Sequence, residues 1–327
     1  MSITINSKQY EKIDTIGKGG FGEVLKVKNE NRIYALKRIP LDNKEDEEKI
    51  KNEANILSRF DSEYIVKYYD SYKDEKYFYI LMEYCEGNDL RKLINKYKDE
   101  GKLMDEQLIY SIVLDICLGI KEIHKNKIMH RDIKPENIFI LNNNKIKIGD
   151  FGISKQLEKN KKSVSNHSQI GTFNYAAHEL FKGKYNNKVD IWSLGCIIYE
   201  LLTLNYCFEN IYSMFDKVFK NERYGQININ KYNNKWQELI DLLLKSDYNK
   251  RPNIDEIYTF LKEKFIQLEN NKKDHNEKKY DQKNISYNNL TNKEYNWDSL
   301  ICLIISIIGF LLLCFFFSNS KKNKNKK

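Results

Sequence analysis

His130-Arg131-Asp132-Ile133-Lys134-Pro135-Glu136-Asn137 is the stretch that decides how this chain is read. Six of these eight residues ionise or donate hydrogen bonds, yet Ile128 precedes them and Ile138-Phe139-Ile140 follows. Polar groups set between core-like side chains must satisfy one another or bind a ligand. A hairpin is expected next, from Ile138 to Leu141 and from Lys145 to Ile148 around an Asn turn, ending in Asp150-Phe151-Gly152. Asp150 continues the parity of Ile146 and Ile148, so its carboxylate is expected to leave the strand on their face. Asp132 and Asp150, with Asn137 between them, are hard oxygen ligands and a base suited to Mg²⁺ and phosphate chemistry.

Towards the N-terminus, Gly17-Lys18-Gly19-Gly20-Phe21-Gly22 lies between two expected strands, the second running from Glu23 to Lys28. Glycines let backbone N–H groups approach phosphates with no Cβ in the way. A dinucleotide fold would open a helix at the third glycine, and here a strand follows. Alternation continues through Arg32 to Ile39, with a turn at Asn29 to Asn31. Lys37 falls on the strand face of Ile33, Ala35 and Ile39, and an ammonium on an apolar face needs a partner. Glu53 fits that need. It sits beside the helical stripe of Ile50, Ala54 and Leu57, from which it can reach inward. Glu45, Glu47 and Glu48 read as a solvated face.

After Asp89 the apolar spacing is mostly helical: Leu108, Ile112, Cys117 and Ile120, then Val189 to Leu204, Trp236 to Leu244 and Ile254 to Phe265. A strand-rich lobe followed by a helical lobe makes an α+β chain. The composition is globular, with 41% hydrophobic and 31% charged residues in 327, which excludes a fully disordered or collagenous chain. The six cysteines include no CxxC pair, so a disulfide framework or a zinc site is not expected. The first 14 residues hold no apolar core of a secretory signal.

The net charge of +9 is unevenly placed: residues 266–327 carry 11 Lys against 6 acids, and the rest of the chain 44 basic against 40 acidic residues. So near-neutral a folded region is not expected to bind nucleic acid. Residues 266–298, rich in Asn, Lys, Asp and Tyr, read as a polar tether. Ser299 to Phe317 are 19 residues without a charge. As a helix they span roughly 28 Å at ~1.5 Å per residue, enough for a bilayer core. A single transmembrane helix at 299–317 is therefore expected, with the lipid bilayer as a partner and a basic tail at 318–327. Tyr295 and Trp297 before it and Lys321 after it suit the interfaces.

Taken together, the glycine loop, Tyr34-Ala35-Leu36-Lys37, the 130–137 stretch, Asp150-Phe151-Gly152 and Asp190-Ile191-Trp192-Ser193-Leu194-Gly195 resemble the eukaryotic protein kinases over residues 10–265. Met82 to Leu90, with 130–139, is similar to the NIMA-related serine/threonine kinases. The resemblance implies a two-lobed fold, ATP and Mg²⁺ as cofactors, and Ser or Thr of protein substrates as acceptors. It implies that Gly17, Gly19 and Gly22 cover the phosphates, that Ile16, Lys18, Gly20 and Phe21 belong to the same cofactor-binding loop, and that Val24 packs on adenine. Lys37, paired with Glu53, would hold the α- and β-phosphates, and Glu83 to Cys85, after the gatekeeper Met82, would form the adenine-contacting hinge. Asp132 would accept the hydroxyl proton, Lys134 would support the transferring group, and Asn137 and Asp150 would hold the metal. Asp190 would support the catalytic loop, and Glu179 with Arg251 would brace the C-terminal lobe. Lys134 and Gly171-Thr172 follow the serine/threonine pattern.

Two positions depart from the family. Ala177-His178-Glu179 stands where Ala-Pro-Glu is usual, and Phe173 where Pro often follows Gly-Thr, so a less rigid docking segment is expected. His178 reads as a loop residue and not a catalyst. Ser163, Ser165 and Ser168 are candidate phosphosites for Arg131, Ser168 first among them. The alternative to an enzyme is a membrane-anchored pseudokinase scaffold. With the span so near the C-terminus, residues 1–298 are expected in the cytosol, at the endoplasmic reticulum or the mitochondrial outer membrane. Five Lys among the last seven residues argue for the opposite topology; a folded kinase without a signal is not expected to translocate.

Overall fold

The computed structural model describes residues 2–19, 22–41, 44–142, 145–152, 155–156, 173–209, 211–220 and 231–266. The N-terminal lobe holds β1 (Ser2–Ile5), β2 (Lys8–Gly19), β3 (Gly22–Asn29), β4 (Arg32–Pro40), α1 (Lys44–Leu57), β5 (Tyr68–Lys73) and β6 (Tyr77–Glu83). Its six strands form one antiparallel sheet in the order β1-β2-β3-β4-β6-β5. The sheet begins ahead of the expected boundary at residue 10. Ile3 and Ile5 are buried between exposed Ser2 and Thr4, and Asn6 and Ser7 turn the chain with positive φ of 45° and 67°, the backbone a two-residue hairpin favours. Asn6 Nδ2 then donates to Asp70 Oδ2 of β5 at 2.8 Å, tying the β1–β2 turn to the far edge of the sheet.

Alternation gives the sheet two buried faces. Leu25, Val27, Leu36 and Leu81 pack with Ile3, Ile5 and Tyr10 on one side. Ile39 and Ile80 face α1 on the other, where Ile50, Ala54 and Leu57 meet them as the helical stripe requires.

The C-terminal lobe contains α2 (Leu90–Asp99), α3 (Glu106–Lys125), β7 (Ile128–Met129), β8 (Ile138–Ile140), β9 (Ile146–Ile148), β10 (Lys155–Gln156), α4 (Lys188–Thr203), α5 (Ile211–Lys220), α6 (Lys235–Leu243) and α7 (Ile254–Lys264). Asp89 and Asp105 cap α2 and α3, and Asn253 with Glu256 forms a capping box on α7. Every residue from Val189 to Leu202 is buried, so α4 is the central post of this lobe. β8 and β9 pair as the expected hairpin, and β10 pairs with β7. Cys85, Cys117, Cys196 and Cys207 are free thiols.

The expected span at 299–317, the tether, the basic tail and the serines of 154–170 lie outside the described residues. Among the described residues no helix is long and apolar enough to cross a membrane.

Candidate active site

Four strands carry the upper wall of a cleft. The ladder sets Gly17 opposite Val24, Val24 opposite Lys37 and Lys37 opposite Ile80, so the strands that lead into and out of the glycine turn lie beside the lysine. Gly22 closes that turn with φ +121°, and a Cβ there would lie 2.2 Å from the Arg38 carbonyl oxygen. Only glycine fits. Ile16 stays exposed, as does Lys18, whereas Gly20 and Phe21 lie outside the described residues.

Lys37 Nζ donates to Glu53 Oε1 at 2.7 Å and to Asp150 Oδ1 at 3.0 Å. Burial would depress the ammonium pKa, but the two carboxylates hold it above its ordinary value. Burial raises the Glu53 carboxyl, and the Lys37 charge only partly opposes that. Asp150 is 44% exposed, and crowding would raise its pKa, yet Lys37 holds it below the usual aspartate range. Its route to the cleft differs from strand parity. β9 ends at Ile148, Lys147 is buried like its neighbours, and Asp150 has φ 61°. A left-handed turn, not alternation, aims the carboxylate.

The lower wall is the 130–137 loop. Its Arg131 also adopts a positive φ, 67°, a conformation that needs support from its surroundings. Asp190 of α4 supplies it: its oxygens accept from the backbone N–H groups of His130 (3.0 Å) and Arg131 (2.8 Å) and pair with His124 Nε2 at 2.8 Å. Burial alone would raise this aspartate, but the His124 bond and the flanking donors bring it below the ordinary value. The His130 ring accepts from Asp132 N–H at Nδ1 (3.3 Å), so its Nε2 donates to the Gly149 carbonyl (3.1 Å). That ring lies 4.7 Å from Phe151, which lies 5.4 Å from Phe60 beyond α1. The two walls are thus joined through one aromatic stack.

At the mouth, Lys134 Nζ donates to Asp132 Oδ2 at 2.7 Å, and Asn137 Nδ2 donates to the same oxygen (3.1 Å) and to the Asp132 carbonyl (2.8 Å). The other oxygen, Oδ1, is buried and has no hydrogen-bond partner. Burial raises the Asp132 carboxyl, with Lys134 opposing and Asp150 adding to the rise. One carboxylate oxygen is thus committed to holding the group in place, and the other is left without a partner.

The donor set also fits a hard cation. Asn137 spends its NH₂ on Asp132, which leaves its carbonyl oxygen, and Asp150 binds Lys37 through one oxygen only. Among the described residues no three His, Cys, Asp or Glu side chains form a metal cage. Two oxygens suit Mg²⁺, which is commonly shared between one or two protein ligands and substrate phosphates.

The hinge residues divide. Glu83 sends its carboxylate away from the cleft, to the buried Lys147 Nζ of β9 (3.0 Å) and to Lys67 N–H (3.2 Å). Any part it takes in the cleft falls to its backbone. Burial pushes the Cys85 thiol up to about 12, so it is protonated at neutral pH. Below the cleft, Arg251 clamps Glu179 through both terminal nitrogens, at 2.6 and 3.0 Å, and stacks 4.7 Å from Trp192. His178 is 4% exposed and sits edge-on to the same Trp192 at 5.6 Å. It opens the 3₁₀ turn His178–Lys182, so the residue expected in a loop is packed against an aromatic face of the lobe.

A model of the protein kinase domain matches residues 10–266. The chain belongs to the protein kinase family. It is 39% identical over 267 residues to the probable serine/threonine-protein kinase nek2 of Dictyostelium discoideum, covering 77% of this chain and 63% of that protein. It is 41% identical over 203 residues to serine/threonine-protein kinase Nek3 of Mus musculus, covering 61% and 39%. With Nek1 of the same species the identity is 39% over 207 residues, 62% of this chain and 17% of that protein. The chain spans less than two thirds of the length of these relatives.

The kinase domain also contains functional candidates that the sequence reading passed over. Glu136, Tyr175 and Glu200 converge on Arg91, although no local pattern connects positions so far apart along the chain.

Proposed function

We propose that this chain is a serine/threonine protein kinase of the NIMA-related type, transferring the γ-phosphoryl group of MgATP to hydroxyls of protein substrates. The observation that carries this reading is the Asp132 carboxylate, pinned by Lys134 and Asn137 on one oxygen and unpartnered on the other. The Nek relatives support the acceptor class.

In this reading Gly17, Gly19 and Gly22 offer backbone N–H groups to the phosphates, and Lys37, held by Glu53, neutralises their charge. Mg²⁺, when bound through Asn137 and Asp150, supplies further neutralisation of phosphate charge. Asp132 Oδ1 orients the serine or threonine hydroxyl and takes its proton, while Lys134 Nζ stands ready for charge on the group in transit. Positioning and charge carry most of the rate. A pseudokinase would lack one of these polar groups, and none is missing. The test is phosphoamino-acid analysis of a general acceptor protein after incubation with labelled MgATP. Phosphoserine or phosphothreonine made by the wild type, and abolished by Lys37→Met, supports the reading. Phosphotyrosine alone, or no label, refutes it.

The same proposal holds residues 299–317 in a bilayer, with the domain on the cytosolic side. A fluorescent fusion to 266–327 should remain with membranes through carbonate extraction. Release into the supernatant would contradict the anchor, and glycosylation at Asn284 or Asn289 would reverse the topology.

A further inference from the structure

Arg91, in the first turn of α2, has a guanidinium bonded through all three of its nitrogens. Its Nε donates to Glu136 Oε1 at 2.8 Å and its Nη1 to Glu200 Oε1 at 2.6 Å. Its Nη2 donates to Glu200 Oε2 at 3.3 Å and to the Tyr175 hydroxyl, which in turn bonds Glu200. Tyr206 lies 5.3 Å from the guanidinium and is 45% exposed.

Four elements meet at this one side chain: α2, the 130–137 loop, the 173–177 segment and α4. Glu136 is the neighbour of Asn137, which bonds Asp132, so the cluster adjoins the loop that carries the catalytic candidate. Its geometry is a guanidinium-recognition site: two carboxylates aimed at one fork, a tyrosine hydroxyl on the rim and an aromatic face alongside. Glu200 is buried (side chain 3% exposed) while Glu136 is 45% exposed, so the pair reaches from the interior to the surface. Without Arg91, two uncompensated carboxylates would stand there and would select a basic residue next to the phosphoacceptor.

Resting on the kinase reading above, we propose that Arg91 is a specificity-determining residue. It fills a substrate-arginine site from within the chain, so this kinase does not select a basic residue at the position passing Glu136 and Glu200. Specificity is a difference between affinities, and a built-in cation lowers the affinity for basic sequences by satisfying the carboxylates in advance.

The test uses the full chain and fluorescein-labelled peptides with a central serine, identical except for Arg or Ala scanned through the flanking positions. Binding is read by fluorescence anisotropy without turnover. The wild type should bind the Arg and Ala members of every pair within about twofold. Arg91→Leu and Arg91→Gln should each bind the Arg peptide about tenfold tighter at one position, a gain that Glu136→Gln added to either variant removes. The glutamine variant keeps an amide donor for Tyr175 and Glu200 should the leucine variant fail to fold. Wild-type preference for Arg, or no gain in folded variants, overturns the proposal and leaves Arg91 as a structural brace. Phosphorylation of the same peptides is followed in parallel. Absence of any transfer by the wild type would sink the kinase reading, while the binding result still decides Arg91.

Discussion

Asp190 is fully buried in α4 and accepts from two backbone N–H groups and His124. Asp190→Ala would leave those donors unsatisfied, at a cost of about 3 kcal/mol in chemical denaturation. It would also free Arg131 from its left-handed backbone, so activity should fall further than stability explains. His178 carries a pH dependence. Burial first, then the Arg251 charge, holds it below the ordinary histidine value of 6.5, with Glu179 opposing. The folded state therefore favours the neutral ring. Its contribution is complete above pH 6.5 and is lost as pH falls through the lower folded value. His178→Phe, which keeps an aromatic face toward Trp192, should flatten the acid side of the Tm-against-pH curve. An unchanged acid limb would show that folding does not shift the His178 pKa.

At the scale of elements, the glycine turn between β2 and β3 is the most exacting piece of backbone. Gly22→Ala places a methyl against the Arg38 carbonyl at a φ that alanine rarely adopts. MgATP affinity, measured by calorimetry, should fall at least tenfold, with the rest of the sheet intact. Period-two alternation and the Ile50, Ala54 and Leu57 stripe made β3, β4 and α1 legible in the sequence, because each repeats at the period of its own backbone. The hairpin of Ile138 to Ile148 was legible for the same reason, and the Lys37–Glu53 pair followed from a charge placed among apolar neighbours. β1 escaped because four residues give too short an alternation to separate from a polar terminus. Asp150 escaped strand parity because one left-handed residue resets it. Arg91 and Glu200 are 109 positions apart, and only the folded chain brings such partners together. Glu83 was legible as a hinge position, but not its carboxylate's turn towards Lys147.

At the scale of the molecule, the two lobes are joined by Lys37 to Asp150, by the Phe60–Phe151–His130 stack, and by Glu83 to Lys147. The C-terminal lobe has its own keystone in Glu179–Arg251, with the arginine side chain 0% exposed. Arg251→Ala strands a buried carboxylate and should cost about 3–5 kcal/mol in an unfolding titration. On the proposed kinase reading, these contacts hold Asp132 opposite the place where a phosphate would lie beside the glycine turn. The direct test of that claim is single-turnover phosphoryl transfer to a serine peptide by the wild type and Asp132→Asn, with MgATP affinity measured on the same samples. Equal affinity and a transfer rate at least 100-fold lower in the variant is the predicted result. Equal rates in the two proteins would contradict it.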